Sequence, residues 1–104
     1  MPSLRSHPEA DAEAESAALW YENRHDGLGQ DFLAELERAL TLIAESPGTW
    51  PVWPGMAASL GIRRFLLSRF PYGIAYGFSG SEVVVYAVAH LARRPGYWRD
   101  RLIP

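Results

Sequence analysis

Five side chains able to bind charge or move a proton fall between residues 90 and 98: His90, Arg93, Arg94, Tyr97 and Trp98. An imidazole titrates near neutrality and can take up a proton. A guanidinium stays charged and grips phosphate or carboxylate through two parallel N–H groups. A phenol can donate, and an indole can pack a chain end or stack on a base. Each also has an ordinary structural reading. His90 can bridge a strand and a loop. Arg93 and Arg94 can contact acids elsewhere in the chain, and Tyr97 and Trp98 can pack the C-terminal tail. Their place gives them interest, at the exit of the most apolar run, residues 83–88. Backbone there can hold side chains rigidly enough to form a site. A second arginine pair, Arg63 and Arg64, opens an earlier strand-like run, so that one points to solvent beside a core-facing other.

Regular elements must position these residues. Apolar runs over 62–69, 72–79 and 82–90 are rich in β-branched and aromatic residues and are broken at Phe70-Pro71 and Ser79-Gly80-Ser81. They predict a small antiparallel sheet. The last run is apolar on both faces, which predicts the central, doubly covered strand. Upstream, Pro8 and Glu9 suit the first turn of a helix. Ala10, Ala14, Ala17, Ala18 and Tyr21 then recur at helical spacing, with Glu13, Glu15 and Glu22 off that face. This predicts a helix over 8–24. Phe32, Leu33, Leu36, Leu40 and Ile43 form the stripe of a second over 29–45, with Asp31, Glu35, Glu37 and Arg38 toward water. The short turn between them implies an antiparallel hairpin. Residues 3–7 offer only a weak edge strand. Residues 47–61 hold three prolines and are irregular, yet Trp50, Trp53 and Met56 should pack and close one side of the core. A short helix is expected over 96–102. The fold class is thus α+β, a helical hairpin on a small antiparallel sheet, in a single domain over 1–104.

Composition removes several functions. A chain of 104 residues is one domain, with 48% hydrophobic and 21% charged residues, as in globular proteins. No apolar run approaches the ~20 residues of a bilayer span. The N-terminus lacks the apolar core of a signal peptide. A cytoplasmic protein without a membrane partner is expected. With no cysteine there is neither disulfide nor thiolate, and with no lysine there is no amine base or Schiff-base former. Three scattered histidines with no acid at matching spacing predict no metal site, and no cofactor is expected. Charge is segregated. Residues 9–45 carry ten of the twelve acids, whereas residues 62–104 carry seven of the ten arginines.

The order of helical hairpin, loop and strands resembles the RelE/ParE family of bacterial toxins, over nearly the whole chain. His7-Pro8-Glu9-Ala10 is similar to the family's entry into its first helix and Trp20-Tyr21-Glu22 to the aromatic pair near its end. Leu28-Gly29-Gln30-Asp31-Phe32 resembles the opening of the second helix, and Pro47-Gly48-Thr49-Trp50-Pro51 the segment after it. Arg63-Arg64, Phe70-Pro71-Tyr72 and the run from His90 through Arg93-Arg94-Pro95-Gly96-Tyr97-Trp98 complete the series. The resemblance implies a toxin of a two-gene toxin–antitoxin module with a cognate antitoxin as partner.

The family divides into message-cutting RelE-like members and ParE-like members associated with DNA gyrase. RNA cleavage needs a base, a cation for the developing phosphorane charge, and an acid for the leaving oxygen. Arg93 falls where RelE-like enzymes keep an arginine, so the resemblance makes Arg93, His90 and Tyr97 the catalytic candidates. The lysines those enzymes carry on the first strand of the sheet are absent here, with Arg63 and Arg64 as nearest substitutes. Gly73 replaces an arginine common after the strand-opening tyrosine. A guanidinium is a poor proton shuttle, because its pKa stays above ~12. The ParE-like reading is therefore favoured, with Arg63, Arg64, Arg93, Arg94 and Trp98 as partner-binding residues. A ribosome-dependent endoribonuclease is the alternative, and a non-toxic relic that still binds antitoxin is the third.

Overall fold

The structure, a computed structural model, describes residues 2–102. Helix α1 (Pro8–Arg24) opens where His7 Nδ1 accepts the Glu9 N–H at 3.1 Å. Pro8 sits in the first turn, where its missing N–H leaves nothing unpaired, and Glu9 and Asp11 place negative charge at the positive helix end. Helix α2 (Leu28–Glu45) returns antiparallel, burying Phe32, Leu36, Ala39 and Ile43. The two approach closely at Gly29, where an added Cβ would stand 2.4 Å from the Ala18 carbonyl oxygen. Only glycine fits there. The Glu22 carboxylate caps α2, accepting the Gly27 and Gly29 N–H groups at 2.9 and 3.0 Å. Those two bonds hold its pKa below the ordinary glutamate range.

Strands β1 (Ser3–Ser6), β2 (Arg63–Leu66), β3 (Tyr72–Ser79) and β4 (Glu82–His90) form one sheet in the order β1-β4-β3-β2. The antiparallel β2-β3-β4 set expected from the sequence is present. The weak N-terminal run adds a fourth strand, parallel to β4, which makes the sheet mixed. β4 lies inside the sheet, as its apolar run predicts. β2 is shorter than the 62–69 run because the chain turns away after Leu66. Leu67 N–H bonds Tyr72 O at 3.0 Å, and Glu35 takes the Ser68 and Arg69 N–H groups at 2.5 and 3.2 Å. Glu35, expected to face water, is therefore buried beneath this turn.

The helices cover one face of the sheet with a core of Phe32, Ile43, Ile74, Tyr76, Val83 and Val85. On the opposite face Ala75, Ala87 and Ala89 present only methyl groups, leaving room for Trp53 and Trp98 to meet edge to face, ring centres 5.3 Å apart. Large side chains against small ones fill the layer. Trp50 packs beside Phe65 at 4.8 Å, so both loop tryptophans anchor the 47–61 segment, which is irregular except for a 3₁₀ turn at Ala58–Leu60 not expected from the sequence. Trp98 is 0% exposed. It belongs to the core and cannot be the surface contact the sequence suggested. The helix expected over 96–102 is reduced to a 3₁₀ turn, Arg99–Leu102, with bonds such as Arg101 N–H to Trp98 O at 3.0 Å. Gly96 at φ 76° and the buried Trp98 fix the chain before a longer helix can start.

Candidate functional site

The site grows from a defect in the sheet. β1 is four residues long and pairs β4 only as far as Val85, so the rest of that β4 edge has no strand beside it. The β3–β4 register also slips at Ala75/Tyr76, leaving Tyr86 as an extra residue on β4. Backbone groups orphaned in this way require other partners. Glu13 of α1 accepts the Val88 N–H at 3.0 Å, and Arg101 donates to Tyr86 O at 3.0 Å.

These two side chains also bind each other. The Arg101 fork meets the Glu13 carboxylate at 2.9 and 3.0 Å, with Glu9 3.6 Å away. The Tyr97 hydroxyl donates to the same carboxylate. The Arg93 guanidinium lies 3.8 Å from it, stacked 3.7 Å over the Tyr97 ring. Burial, then the bond to Glu13, pushes the Tyr97 pKa far above the ordinary phenol value. Glu13, expected off the packed face of α1, is thus the centre of the cluster, and its side chain is only 16% exposed. Arg101 was not singled out in the sequence. Its partners lie 15 and 88 positions away, so no local spacing could reveal it.

An open groove of about 880 Å³ runs beside this knot, between α1 on one side and Tyr72, Val88 and His90 on the other. His90 Nδ1 accepts the Ala92 N–H at 3.0 Å, and its ring meets the Tyr72 ring at 5.0 Å. Across a ridge formed by His90, Arg93 and Tyr97 lies a smaller pocket of about 150 Å³ that also takes in Arg64 and Arg94. Arg63 is on the other sheet face, donating to Trp50 O at 2.5 Å and lying 5.7 Å from the Phe78 ring centre. The structure therefore gathers His90, Arg93, Tyr97, Arg64 and Arg94, and leaves Arg63 out. The space above Gly73 is filled: an added Cβ would meet Trp53, Leu91 and Leu66 at 3.2 to 3.4 Å. No group of three or more metal-ligating side chains occurs among the described residues. None of the described helices is long and apolar enough to cross a membrane.

No protein-family profile matches the chain, and no curated protein matches it. Among solved structures, a chain described as "Chromosomal ParDE TA system from P. aeruginosa" superimposes with a TM-score of 0.72. The alignment covers 88% of this chain and 97% of that one at 16% sequence identity. The fold is RelE/ParE-like. In this chain that fold is built from the helical hairpin, the loop held by Trp50 and Trp53, and the sheet that ends at His90. Within it, Glu13 and Arg101 close the open half of the β4 edge, and the arginines near the last strand divide between two neighbouring cavities.

Proposed function

We propose that the protein is the toxin of a toxin–antitoxin pair, ParE-like in action. It inhibits growth by binding a cellular protein, with DNA gyrase as first candidate, and a cognate antitoxin neutralises it. The observation that carries this reading is the Glu13 knot. Tyr97 is committed as a donor to a carboxylate and keeps its proton. Arg101 is held by the same carboxylate, and Arg93 stacks on the tyrosine. The place above Gly73, where the RelE-like resemblance calls for an arginine, is occupied by Trp53, Leu91 and Leu66. Arg93 remains as a cation and His90 as one proton carrier, but with Tyr97 committed to Glu13 the three candidates supply no second carrier to match it. Losing one positioned acid or base typically removes ~10²–10⁴ in rate.

The test is induction in a bacterial host, with gyrase supercoiling and message integrity assayed separately. Growth should stop while messages stay whole, and inhibition should survive Tyr97→Phe and His90→Ala. Prompt cutting of ribosome-bound message by the purified protein, abolished by Tyr97→Phe or Arg93→Ala, would establish the endoribonuclease instead. Normal growth at full induction, with tight binding to the product of a neighbouring gene, would mark a relic.

A further inference from the structure

The small pocket beside the groove has a composition unlike the rest of the surface. Arg64, Arg93, Arg94 and His90 all line it, and no Asp or Glu does. Neither Arg64 nor Arg94 has an ion-pair partner among the described residues. Arg64 lies over the Trp53 ring at 5.9 Å, and its Nε is buried without an acceptor. Arg93 is stacked on Tyr97 at 3.7 Å. Stacking occupies the flat face of a guanidinium and leaves its in-plane N–H groups available for an oxyanion. Arg93 already has the Glu13 carboxylate at 3.8 Å, but Arg64 and Arg94 have no counter-charge among the described residues, and like charges facing one cavity repel until an anion enters.

Size limits what that anion can be. At about 150 Å³ the pocket holds roughly five waters' worth of volume. Whole ligands fill ~300–1,000 Å³. The pocket therefore takes one terminal group and not a whole nucleotide. Its surroundings choose between the possible carriers. The groove across the ridge runs along α1, where Glu9 and Glu13 line its wall and are already paired with Arg101 and, for Glu13, with Arg93. Its charges are spent on one another, so a phosphate chain would find no free row of cations there, whereas a mostly apolar peptide needs only one seat for its acid.

We infer that this pocket, formed chiefly by Arg64 and Arg94, is the seat for a single carboxylate of a partner polypeptide lying in the adjoining groove. The inference rests on the reading of the protein as one half of a protein pair, and it adds the chemical group that pairing requires. His90, Arg93 and Tyr97 line both cavities, so a chain in the groove reaches the pocket by crossing one ridge of side chains.

The experiment is a nuclear magnetic resonance titration of the purified protein, following the arginine Nε–Hε signals, with N-acetyl-glutamate amide and hexauridylate as separate probes. The carboxylate probe should shift the Arg64 and Arg94 signals saturably. Arg94→Gln should weaken it by about tenfold, in line with one lost charge-assisted hydrogen bond. Arg94 is exposed, so this variant keeps the fold, and an unchanged far-ultraviolet spectrum checks that. Hexauridylate should leave those signals in place. No saturable shift with the carboxylate probe, or an unchanged affinity in Arg94→Gln, would overturn the seat. Tighter binding of hexauridylate at the same arginines would assign the pocket to RNA. None of these outcomes depends on toxicity, so the seat can fail while the toxin reading stands, and the reverse.

Discussion

Two arginine groups lie within one ridge of each other and have opposite fates. Arg101 is driven against Glu13, its side chain 9% exposed, and satisfies a stranded carbonyl of β4 at the same time. Arg64 and Arg94, on the far side of His90 and Tyr97, meet no carboxylate among the described residues. The difference lies in the reach of α1. That helix passes over the open half of the β4 edge and delivers its acids to one side of the ridge only. The Trp-Pro loop, which covers the other side, contains no acid between residues 47 and 61. An arginine-rich end thus divides into a structural half and a half available to a partner, according to which segment covers it.

Breaking the structural half should have the largest effect. Removing one member of a well-paired, mostly buried ion pair costs ~3–5 kcal/mol, because the other charge is left uncompensated. Glu13→Ala also strips the Val88 N–H of its acceptor and Tyr97 of its own. Denaturant unfolding of Glu13→Ala, Arg101→Ala and the double variant should show losses near the lower end of that range, about 3 kcal/mol each. The double variant should lose much less than the sum, since the two side chains act as one unit. Strict additivity would mean that Glu13 and Arg101 contribute independently and that no knot couples them.

Most of the architecture was legible in the sequence, and the knot was not. Pro8, Gly27, Pro47 and Pro71 punctuate the chain so clearly that α1, α2, β3 and β4 were placed within a residue of their bounds. β1 was faint because Ser-Leu-Arg-Ser carries too little alternation. Its pairing is also parallel, with a strand 79 positions on (Ser3 beside Glu82), which no hairpin signal announces. Residue type and spacing put Glu13 off the apolar face of α1 and Glu35 toward water. Both are instead acceptors for backbone N–H groups distant in sequence, Val88 for one and Ser68 and Arg69 for the other. Local periodicity sees the face of a helix and not the strand edge it will be laid against. The sequence alone does not decide between tail packing and a partner contact for Trp98, because the alanines that make room for it, Ala75, Ala87 and Ala89, read as ordinary strand filling until Trp53 is brought over the same face.

A smaller effect should come from Tyr97→Phe, which removes one hydrogen bond to a charged acceptor, ~1.5 kcal/mol at neutral pH. The pH dependence sharpens it. The tyrosine pKa is raised from 10.0 in the folded state, by burial first and by the Glu13 bond second. Above pH 10 the unfolded chain releases this proton while the folded chain keeps it. The folded state then binds more protons, so stability falls as pH rises. Tyr97→Phe lacks that share of the loss. Its deficit against the parent should be full below pH 10 and should shrink above it, as read from melting temperatures between pH 8 and 11. Tyr21, Tyr72 and Tyr76 are raised as well, and the difference between the two curves cancels their contribution.

The smallest effect on stability should be that of Arg94→Gln, and its smallness is informative. Arg94 is exposed and makes no side-chain ion pair among the described residues. Substitutions at such positions fall within about ±0.5 kcal/mol. If Arg94 crowds the unpaired Arg64 in that pocket, neutralising it relieves their repulsion, and the change should lie on the stabilising side. Repulsion between exposed charges is screened by salt. The gain should therefore be greatest at low ionic strength and vanish near 1 M salt, where the Debye length is ~3 Å. The same titration on Arg101→Gln should show a large loss at every salt concentration, because its partner Glu13 is mostly buried and screened much less. A clear destabilisation by Arg94→Gln that persists in high salt would give Arg94 a structural partner of its own and erase the contrast between the two sides of the ridge.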